Sequence, residues 1–319
     1  MGEVAFVVAL DGGGSKTDAV ALALDGTLLG RASAATSSPH FIGLGPSVAV
    51  VDSLVTELAG GAVPAHVGIY LSGLDLEREV ADYRAALARF AWARSITVEN
   101  DLFALLRAGT SVPDAAAVIC GTGLNALAIR ADGEVARFLA LGPISGDWGG
   151  GAGIGELALW FAAREADGRG EHTSLTAAIP GEFGLATVGE LTEALHSGRL
   201  AMPELARLSP LVLQHSRAGD ALARHIVDRQ AEEIAVMASA ALTRLGLHDA
   251  QVPVVLGGGV VQSGDEILLA GVDAALARLA PRAYAVVVDA APILGAGLLA
   301  LESAGATREA VERASVALG

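Results

Sequence analysis

The sequence predicts an α/β protein built from two duplicated halves. An apolar run of strand length, residues 4–10, enters a glycine turn, a second apolar run leaves it, and Asp25-Gly26 turns the chain into a third strand. The same order returns at 115–141: apolar strand, glycine turn, strand, Asp132-Gly133, strand. Between and after these runs lie segments of helical period. A repeated order of turns and strands would have to arise several times over by chance, so it outweighs any single motif.

In the first half the third strand covers 27–35 and 36–41 is a loop. Val48, Val51, Leu54, Val55 and Leu58 give 45–60 a helical face. A strand at 66–71 closes on Ser72-Gly73, and an amphipathic helix covers 76–90. A strand at 95–98 delivers Glu99-Asn100-Asp101 to the start of a helix at 102–108. In the second half strands are expected at 115–120, 124–130 and 134–141. Helices follow at 154–166, 174–178, 188–197, 202–208 and 220–245. A strand at 252–256 runs into a third glycine turn; a helix at 265–279, a strand at 283–288 and a helix at 293–303 complete the pattern. Residues 306–318 read equally as a final helix or a frayed tail. The expected domains are 1–112 and 113–319, with the last helix able to pack back on the first domain.

The opening turn carries the chemistry. Gly12, Gly13 and Gly14 admit positive φ and close approach of a ligand. Ser15, Lys16 and Thr17 add hydroxyls and a cation, and successive N–H groups form an anion nest. Asp11 stands at its mouth, so the set suits a phosphate chain with a divalent metal. A Walker A loop needs Gly before its Lys and a helix after it; here Ser15 precedes Lys16 and a strand follows. A dinucleotide fingerprint also needs a helix after the glycines. The plain alternative is a structural hairpin, and the length of the Gly-Gly-Gly-Ser run argues against it, because an ordinary hairpin turns on two residues.

Composition narrows the classes. With 21 Lys and Arg against 36 Asp and Glu, the net charge of −15 argues against a nucleic-acid partner. No apolar run reaches the roughly 18 residues of a membrane span, and the apolar start lacks the basic flank and cleavage site of a signal peptide. Cys120 is the only cysteine, so an internal disulfide is excluded and a reducing, cytoplasmic setting is the default.

Asp11-Gly12-Gly13-Gly14-Ser15-Lys16-Thr17, Glu99-Asn100-Asp101, Gly121-Thr122-Gly123-Leu124-Asn125, the run 142–151 from Gly142 to Gly151, and Gly257-Gly258-Gly259-Val260 stand in one order along nearly the whole chain. In that order the chain resembles the superfamily of actin, hexokinases and heat-shock ATPases. Within it, the chain is similar to N-acetylglucosamine kinases and to the ATPase family that includes the benzoyl-CoA reductase activators. The resemblance implies two duplicated ribonuclease-H-like domains with an interdomain cleft. It implies an ATP- and Mg²⁺-dependent kinase acting on the 6-hydroxyl of a small-molecule amino sugar, N-acetylglucosamine first. Another hexose or amino sugar, such as glucosamine or N-acetylmannosamine, and a non-catalytic ATP- and sugar-binding protein are the alternatives. An iron–sulfur activator is disfavoured, because a cluster needs several cysteines. No nucleic acid or membrane enters, and a homodimer stays open.

By the same resemblance Asp101 is the base that takes the sugar hydroxyl proton; its plain role is a helix N-cap. Asp11 holds hydrated Mg²⁺, and Ser15, Lys16 and Thr17 face the β- and γ-phosphates, with a solvated surface charge as the other reading of Lys16. Gly121, Thr122 and Gly123 contact the phosphates, and Gly257, Gly258 and Gly259 lie against adenine and ribose. Leu124, Asn125 and Asp147 border the sugar; His40 is either a further sugar contact or a loop histidine, and Trp148 either stacks on the sugar or, as its plain role, packs. The chain departs from many relatives in having Pro39 before His40 and Trp148-Gly149-Gly150 after Asp147. Both departures touch the sugar pocket.

Overall fold

The computed structural model describes residues 5–319; the expected start of the first strand at Val4 lies outside them. Two compact units form, Met1–Val112 with Val288–Gly319, and Pro113–Val287. Among the described residues no helix is long and apolar enough to cross a membrane.

The first unit holds β1 (Phe6–Gly12), β2 (Lys16–Ala23), β3 (Leu28–Ala35), β4 (His66–Leu71) and β5 (Ile96–Asn100), in the sheet order β3-β2-β1-β4-β5. β1, β2 and β3 are an antiparallel meander; β4 runs parallel to β1, and β5 to β4. Successive residues of a strand point to opposite faces. Phe6, Val8 and Leu10 pack under Val51 and Val55 of α2 (Leu44–Ala59) and Tyr83 of α3 (Glu77–Leu87). Val7 and Ala9 face Ala104 of α4 (Asp101–Gly109), and the chain's last two helices, α12 (Ile293–Ser303) and α13 (Arg308–Leu318). With both faces covered, the strand reads as a continuous apolar run. Truncating fully buried Leu10 to Ala would cost about 2–5 kcal/mol.

The second unit repeats the plan. β6 (Ala115–Cys120), β7 (Leu124–Ile129), β8 (Val135–Arg137), β9 (Pro253–Gly257) and β10 (Tyr284–Val287) lie in the order β10-β9-β6-β7-β8. Again three strands form an antiparallel meander, and two add in parallel on the other side of the first. Even the tight turns match: Gly26 N–H donates to the Ala23 carbonyl at 2.8 Å, and Gly133 N–H to the Arg130 carbonyl at 2.8 Å. Gly26 and Gly133 take φ of 88° and 89°, where a side chain would be strained. This is the duplicated ribonuclease-H-like α/β fold of the actin and hexokinase type.

The units differ in what joins the third strand to the fourth. In the first it is α1 (Pro39–Ile42) and α2; in the second it is α5 (Gly150–Ala166), α6 (Leu175–Ala178), α7 (Val188–His196), α8 (Ser209–Arg217) and α9 (Ala221–Arg244). After β9 come α10 (Gly259–Gln262) and α11 (Glu266–Leu279). Helix α9 starts where Asp220 accepts the Leu222 and Ala223 N–H groups at 3.0 and 2.9 Å.

Several expected elements need correction. The loop at 36–41 contains α1, opened by Pro39 in its first turn. The strand expected over 134–141 is only Val135–Arg137; Ala140 turns to φ 51° and a 3-10 turn covers Gly142–Ser145. The helix expected at 202–208 is 3-10, and α8 follows it directly behind a Ser-Pro start that the apolar period did not reveal. Residues 306–318, undecided by sequence, form α13, capped by Thr307, whose hydroxyl oxygen accepts the Ala310 N–H.

Candidate functional site

Parallel pairing gathers the chemistry of the first unit at one sheet edge. Asp11 pairs with Tyr70 and Gly12 with Leu71 across β1 and β4, and Leu71 pairs with Asn100 across β4 and β5. So Asp11, the loop after Leu71, Asn100 and Asp101 emerge together at the carboxyl ends of three parallel strands, where ligands of such sheets bind.

Asp101 is 8% exposed and is the first residue of α4. It is not the cap, which corrects the plain alternative. Asn100 Oδ1 accepts the Leu102 N–H at 3.0 Å, and Asn100 Nδ2 donates to Asp75 Oδ1 at 3.0 Å. Burial and the nearby Asp75 charge push the Asp101 carboxyl up to about 7, against the lowering pull of the backbone N–H groups of Leu102 and of Asp101 itself. Asp11 is also raised well above the carboxylate range. Burial is the main cause; Asp101 and Asp18 add to it, and Lys16 opposes it.

The glycine turn corrects the reading of its length. Gly12 pairs with Thr17, and Gly13 N–H donates to the Lys16 carbonyl at 2.9 Å, so the hairpin turns on Gly14 and Ser15 alone. None of Gly12, Gly13 and Gly14 takes a left-handed φ. Their smallness serves separate ends. A Cβ on Gly12 would overlap Ser37 Oγ and Leu71 Cδ2, and one on Gly14 would meet the Phe41 ring at 3.0 Å. On Gly13 it would meet nothing nearer than 3.8 Å, which leaves that backbone open to a ligand. Thr17 is fully buried, and its hydroxyl lies 3.0 Å from the Ala35 carbonyl and 2.8 Å from Ser37 Oγ. Ser15 is exposed. Lys16 is 70% exposed and pairs with Asp18 at 2.7 Å.

His40 lies in α1 beside the same edge. A Cβ on Gly73 would come within 2.6 Å of the His40 Cβ and 2.8 Å of Ser38 Oγ, so the loop after β4 packs directly on α1. A cavity of about 170 Å³ there is lined by Pro39, His40, Leu44, Gly73, Glu79 and Tyr83, among others. Ser72 lies in this loop with its N–H on the Gly12 carbonyl at 2.8 Å, and its buried Oγ has no hydrogen-bond partner among the described residues.

In the second unit three glycine turns converge. Gly151 and Ala152 N–H groups donate to the Gly121 and Thr122 carbonyls at 2.8 and 2.9 Å, tying the β6–β7 turn to the start of α5. Gly150, at φ 67°, sits against the Gly123 backbone, where a Cβ would overlap it. Gly258, at φ 90°, packs against the Cys120 carbonyl and the Gly121 N–H with the same result. Gly257 ends β9 in register with Ile119, and Gly259 opens α10. Glycine is therefore required here for backbone-to-backbone contact. Thr122 is exposed on this surface.

The residues expected around the sugar divide. Leu124 is buried in the core beside Cys120 and Ile154. Asn125 is partly buried and accepts the Ala126 N–H at 2.7 Å. Asp147 accepts from Ser145 Oγ, within the loop just before α5. Trp148 packs on the core, with the Arg229 guanidinium 4.0 Å over its ring. Burial raises the Glu233 carboxyl, with Arg229 opposing and Glu232 and Asp147 adding to it, so α9 brings acid to the Asp147 loop. The sequence reading missed Asp75, Gln230 and Glu233. No local motif marks them, because each acts on residues distant in the chain.

The chain is similar in sequence and fold to known proteins. The chain is 25% identical over 312 residues to N-acetyl-D-glucosamine kinase of Dictyostelium discoideum, covering 93% of this chain and 98% of that one. It is 26% identical over 263 residues to N-acetylmuramic acid/N-acetylglucosamine kinase of Clostridium acetobutylicum, covering 81% and 86%. The solved structure of a candidate N-acetylglucosamine kinase from Chromobacterium violaceum superposes with a TM-score of 0.71 at 26% identity, covering 93% of this chain and 99% of that one. A glucokinase from Streptomyces griseus, 16% identical with a TM-score of 0.57, shares the fold. Residues 8–300 match the BadF/BadG/BcrA/BcrD ATPase family, and the chain belongs to that family.

Proposed function

We propose that this protein is an ATP- and Mg²⁺-dependent sugar kinase that transfers the γ-phosphoryl group to the 6-hydroxyl of an amino sugar, N-acetylglucosamine first. The observation that carries the reading is Asp101: a buried carboxyl at the carboxyl edge of the sheet, relieved of capping by Asn100 and poised near neutral. A base works best when its proton affinity is close to the working pH. The two relatives named for N-acetylglucosamine kinase activity span most of the chain and support the choice of sugar.

In the proposed reaction the Asp101 carboxylate accepts the hydroxyl proton as the sugar oxygen bonds to the γ-phosphorus, and the bond to the β-phosphate oxygen breaks to release ADP. Gly13 offers an unobstructed backbone to the phosphates. The exposed Lys16–Asp18 pair is worth about 0–1 kcal/mol, so Lys16 can turn from Asp18 to a phosphate at small cost. In the second unit, Gly121, Thr122 and Gly123 meet the phosphates, and Gly257, Gly258 and Gly259 meet adenine and ribose. Asp147, Asn125 and His40 are the proposed sugar contacts, with Leu124 shaping the wall from the core side.

Asp11 fits a hydrated Mg²⁺. Among the described residues no group of three or more His, Cys, Asp or Glu forms a metal cage. Mg²⁺ needs none, since it keeps several waters and takes one or two carboxylates with the substrate phosphates. Burial first, and then the Asp101 and Asp18 charges, oppose ionisation of Asp11, a balance that a bound dication would reverse. When bound, the ion neutralises charge on the phosphates.

An iron–sulfur activator does not fit. Cys120 is the only cysteine of the chain and is buried in β6, whereas a cluster is held by several cysteine thiolates. The test is sugar-dependent ADP release over N-acetylglucosamine, glucosamine, N-acetylmannosamine, N-acetylmuramic acid and glucose. The expected result is the highest kcat/KM on N-acetylglucosamine. ATP binding with no sugar-dependent turnover would overturn the reading and leave a non-catalytic binding protein.

A further inference from the structure

We infer that Asp75 is a positioning residue for Asp101, acting through the side-chain amide of Asn100. The inference rests on the proposed function, in which Asp101 has a proton to accept.

Asn100 is 1% exposed at the end of β5. Its amide has an acceptor oxygen and a donor nitrogen that differ little in shape, so partners decide which way it points. On one side is the Leu102 N–H, which needs an acceptor and takes Oδ1 at 3.0 Å. On the other is Asp75, whose ionised carboxylate only accepts and takes Nδ2 at 3.0 Å. Reversing the amide would set oxygen against carboxylate and N–H against N–H. Asp75 therefore selects the orientation that caps α4.

Residue 75 is itself held. Its N–H and that of Leu76 both donate to Glu79 Oε2 at 2.9 Å, fixing the loop after β4 to the first turn of α3. The connection runs from α3 through Asp75 and Asn100 to the backbone on which Asp101 sits. Asp101 is the residue next to the cap, so a tilt of the first turn moves its carboxylate. Misplacement of a reacting group by about 1 Å is enough to cost about a hundredfold in rate.

The test uses four variants of the full chain, with sugar-dependent ADP release and backbone amide exchange as readouts. Asp75→Ala removes the acceptor. It is expected to lower kcat about a hundredfold, with KM for ATP and for sugar within about threefold of the parent. Asp75→Asn keeps an acceptor oxygen and is expected to lose less than about tenfold. Asn100→Asp alone keeps a capping oxygen but opposes two carboxylates, and is expected to lose more than Asp75→Ala. Combining Asp75→Asn with Asn100→Asp exchanges donor and acceptor across the same bond, and is expected to recover to within about tenfold of the parent. Exchange of the Leu102 amide should quicken in Asp75→Ala and slow again in the exchanged pair.

Retention of kcat within about threefold in Asp75→Ala would overturn the inference. So would an exchanged pair no better than Asn100→Asp. Absence of turnover in the parent chain is a different failure: it removes the proposed function, while the amide-exchange comparison still reports on the link from Asp75 to the cap.

Discussion

The Gly150 N–H donates to Gln230 Oε1 at 2.8 Å, joining the first residue of α5 to the middle of α9 across 80 positions of sequence. Gln230 is fully buried, and its Nε2 has no partner among the described residues. Gly149, at φ 128°, leaves room for this side chain, since a Cβ there would come within 2.7 Å of Oε1. Gln230→Leu leaves the Gly150 N–H buried without an acceptor, at a cost of about 1–3 kcal/mol, partly offset by removal of the unpartnered amide nitrogen. The expected outcome is a lower urea midpoint at unchanged slope, with a raised KM for ATP. An unmoved midpoint would mean that the Gly150 N–H finds another acceptor.

Asp101→Asn should abolish transfer by several orders of magnitude while ATP still binds. It should also stabilise the protein. The native carboxyl sits at about 7 against 3.8 unperturbed, raised first by burial and then by Asp75. A raised carboxyl holds its proton in the folded state, so its favourable contribution is complete below about pH 4 and is lost as pH rises through 7. The whole difference is roughly 4 kcal/mol as an upper estimate. The variant should therefore melt higher than the parent at pH 8 in metal-free buffer, and the gap should close towards pH 4. A gap that widens on acidification would contradict this sign.

If Asp101 is the base, as proposed, the same group sets the pH profile. A base must be unprotonated to act, so kcat/KM should rise about tenfold per unit below pH 7 and level off above it. Steady-state rates between pH 5.5 and 8.5 measure this, and a flat profile across that range would separate Asp101 from the proton transfer.

Asp11→Ala should raise the Mg²⁺ concentration needed for half-maximal turnover at least about tenfold, because it removes the proposed carboxylate contact to the hydrated ion. Titration of Mg²⁺ at fixed ATP checks it. Unchanged half-saturation would assign the metal elsewhere.

Gly12 and Gly13 should behave oppositely. Gly12→Ala drives a Cβ into Ser37 and Leu71, an overpacking cost of about 1–3 kcal/mol, and should lower Tm. Gly13→Ala meets nothing nearer than 3.8 Å and should leave Tm near the parent's, while weakening ATP where the backbone would approach phosphate. Calorimetry with and without ATP separates the two. Equal losses of Tm would show that both glycines serve packing alone.

Much of the fold was legible because it follows from local rules. Val7, Val8, Ala9 and Leu10 read as a doubly covered strand, and they are buried on alternate faces under two helical layers. Asp25-Gly26 and Asp132-Gly133 read as matching turns, and both close on the same 2.8 Å hydrogen bond. Less legible were elements whose limits depend on neighbours. β8 stops at Arg137 because Ala140 and the 3-10 turn after Leu141 bend the chain away, and no residue pattern in 134–141 announces it. The opening hairpin reads as too long when the whole run from Gly12 to Ser15 is counted as loop; Gly12 instead pairs with Thr17 and the Gly13 N–H bonds the Lys16 carbonyl, leaving Gly14 and Ser15 to turn. Thr17 is drawn into β2 by its hydroxyl partners Ala35 and Ser37.

By itself the sequence determined the duplicated strand order, the glycines of the three turns and the two acids Asp11 and Asp101. These depend on period, turn chemistry and residue type, which travel with the chain. Tertiary structure alone decided that Asn100 and not Asp101 caps α4, that Leu124 faces the core, that Asp75 meets Asn100 and that Gln230 meets Gly150. The last two outcomes depend on which polar atom meets which partner across 25 and 80 positions. A hydrogen bond is satisfied over about 3 Å, and no spacing along the chain records a contact made only when the strands are laid side by side.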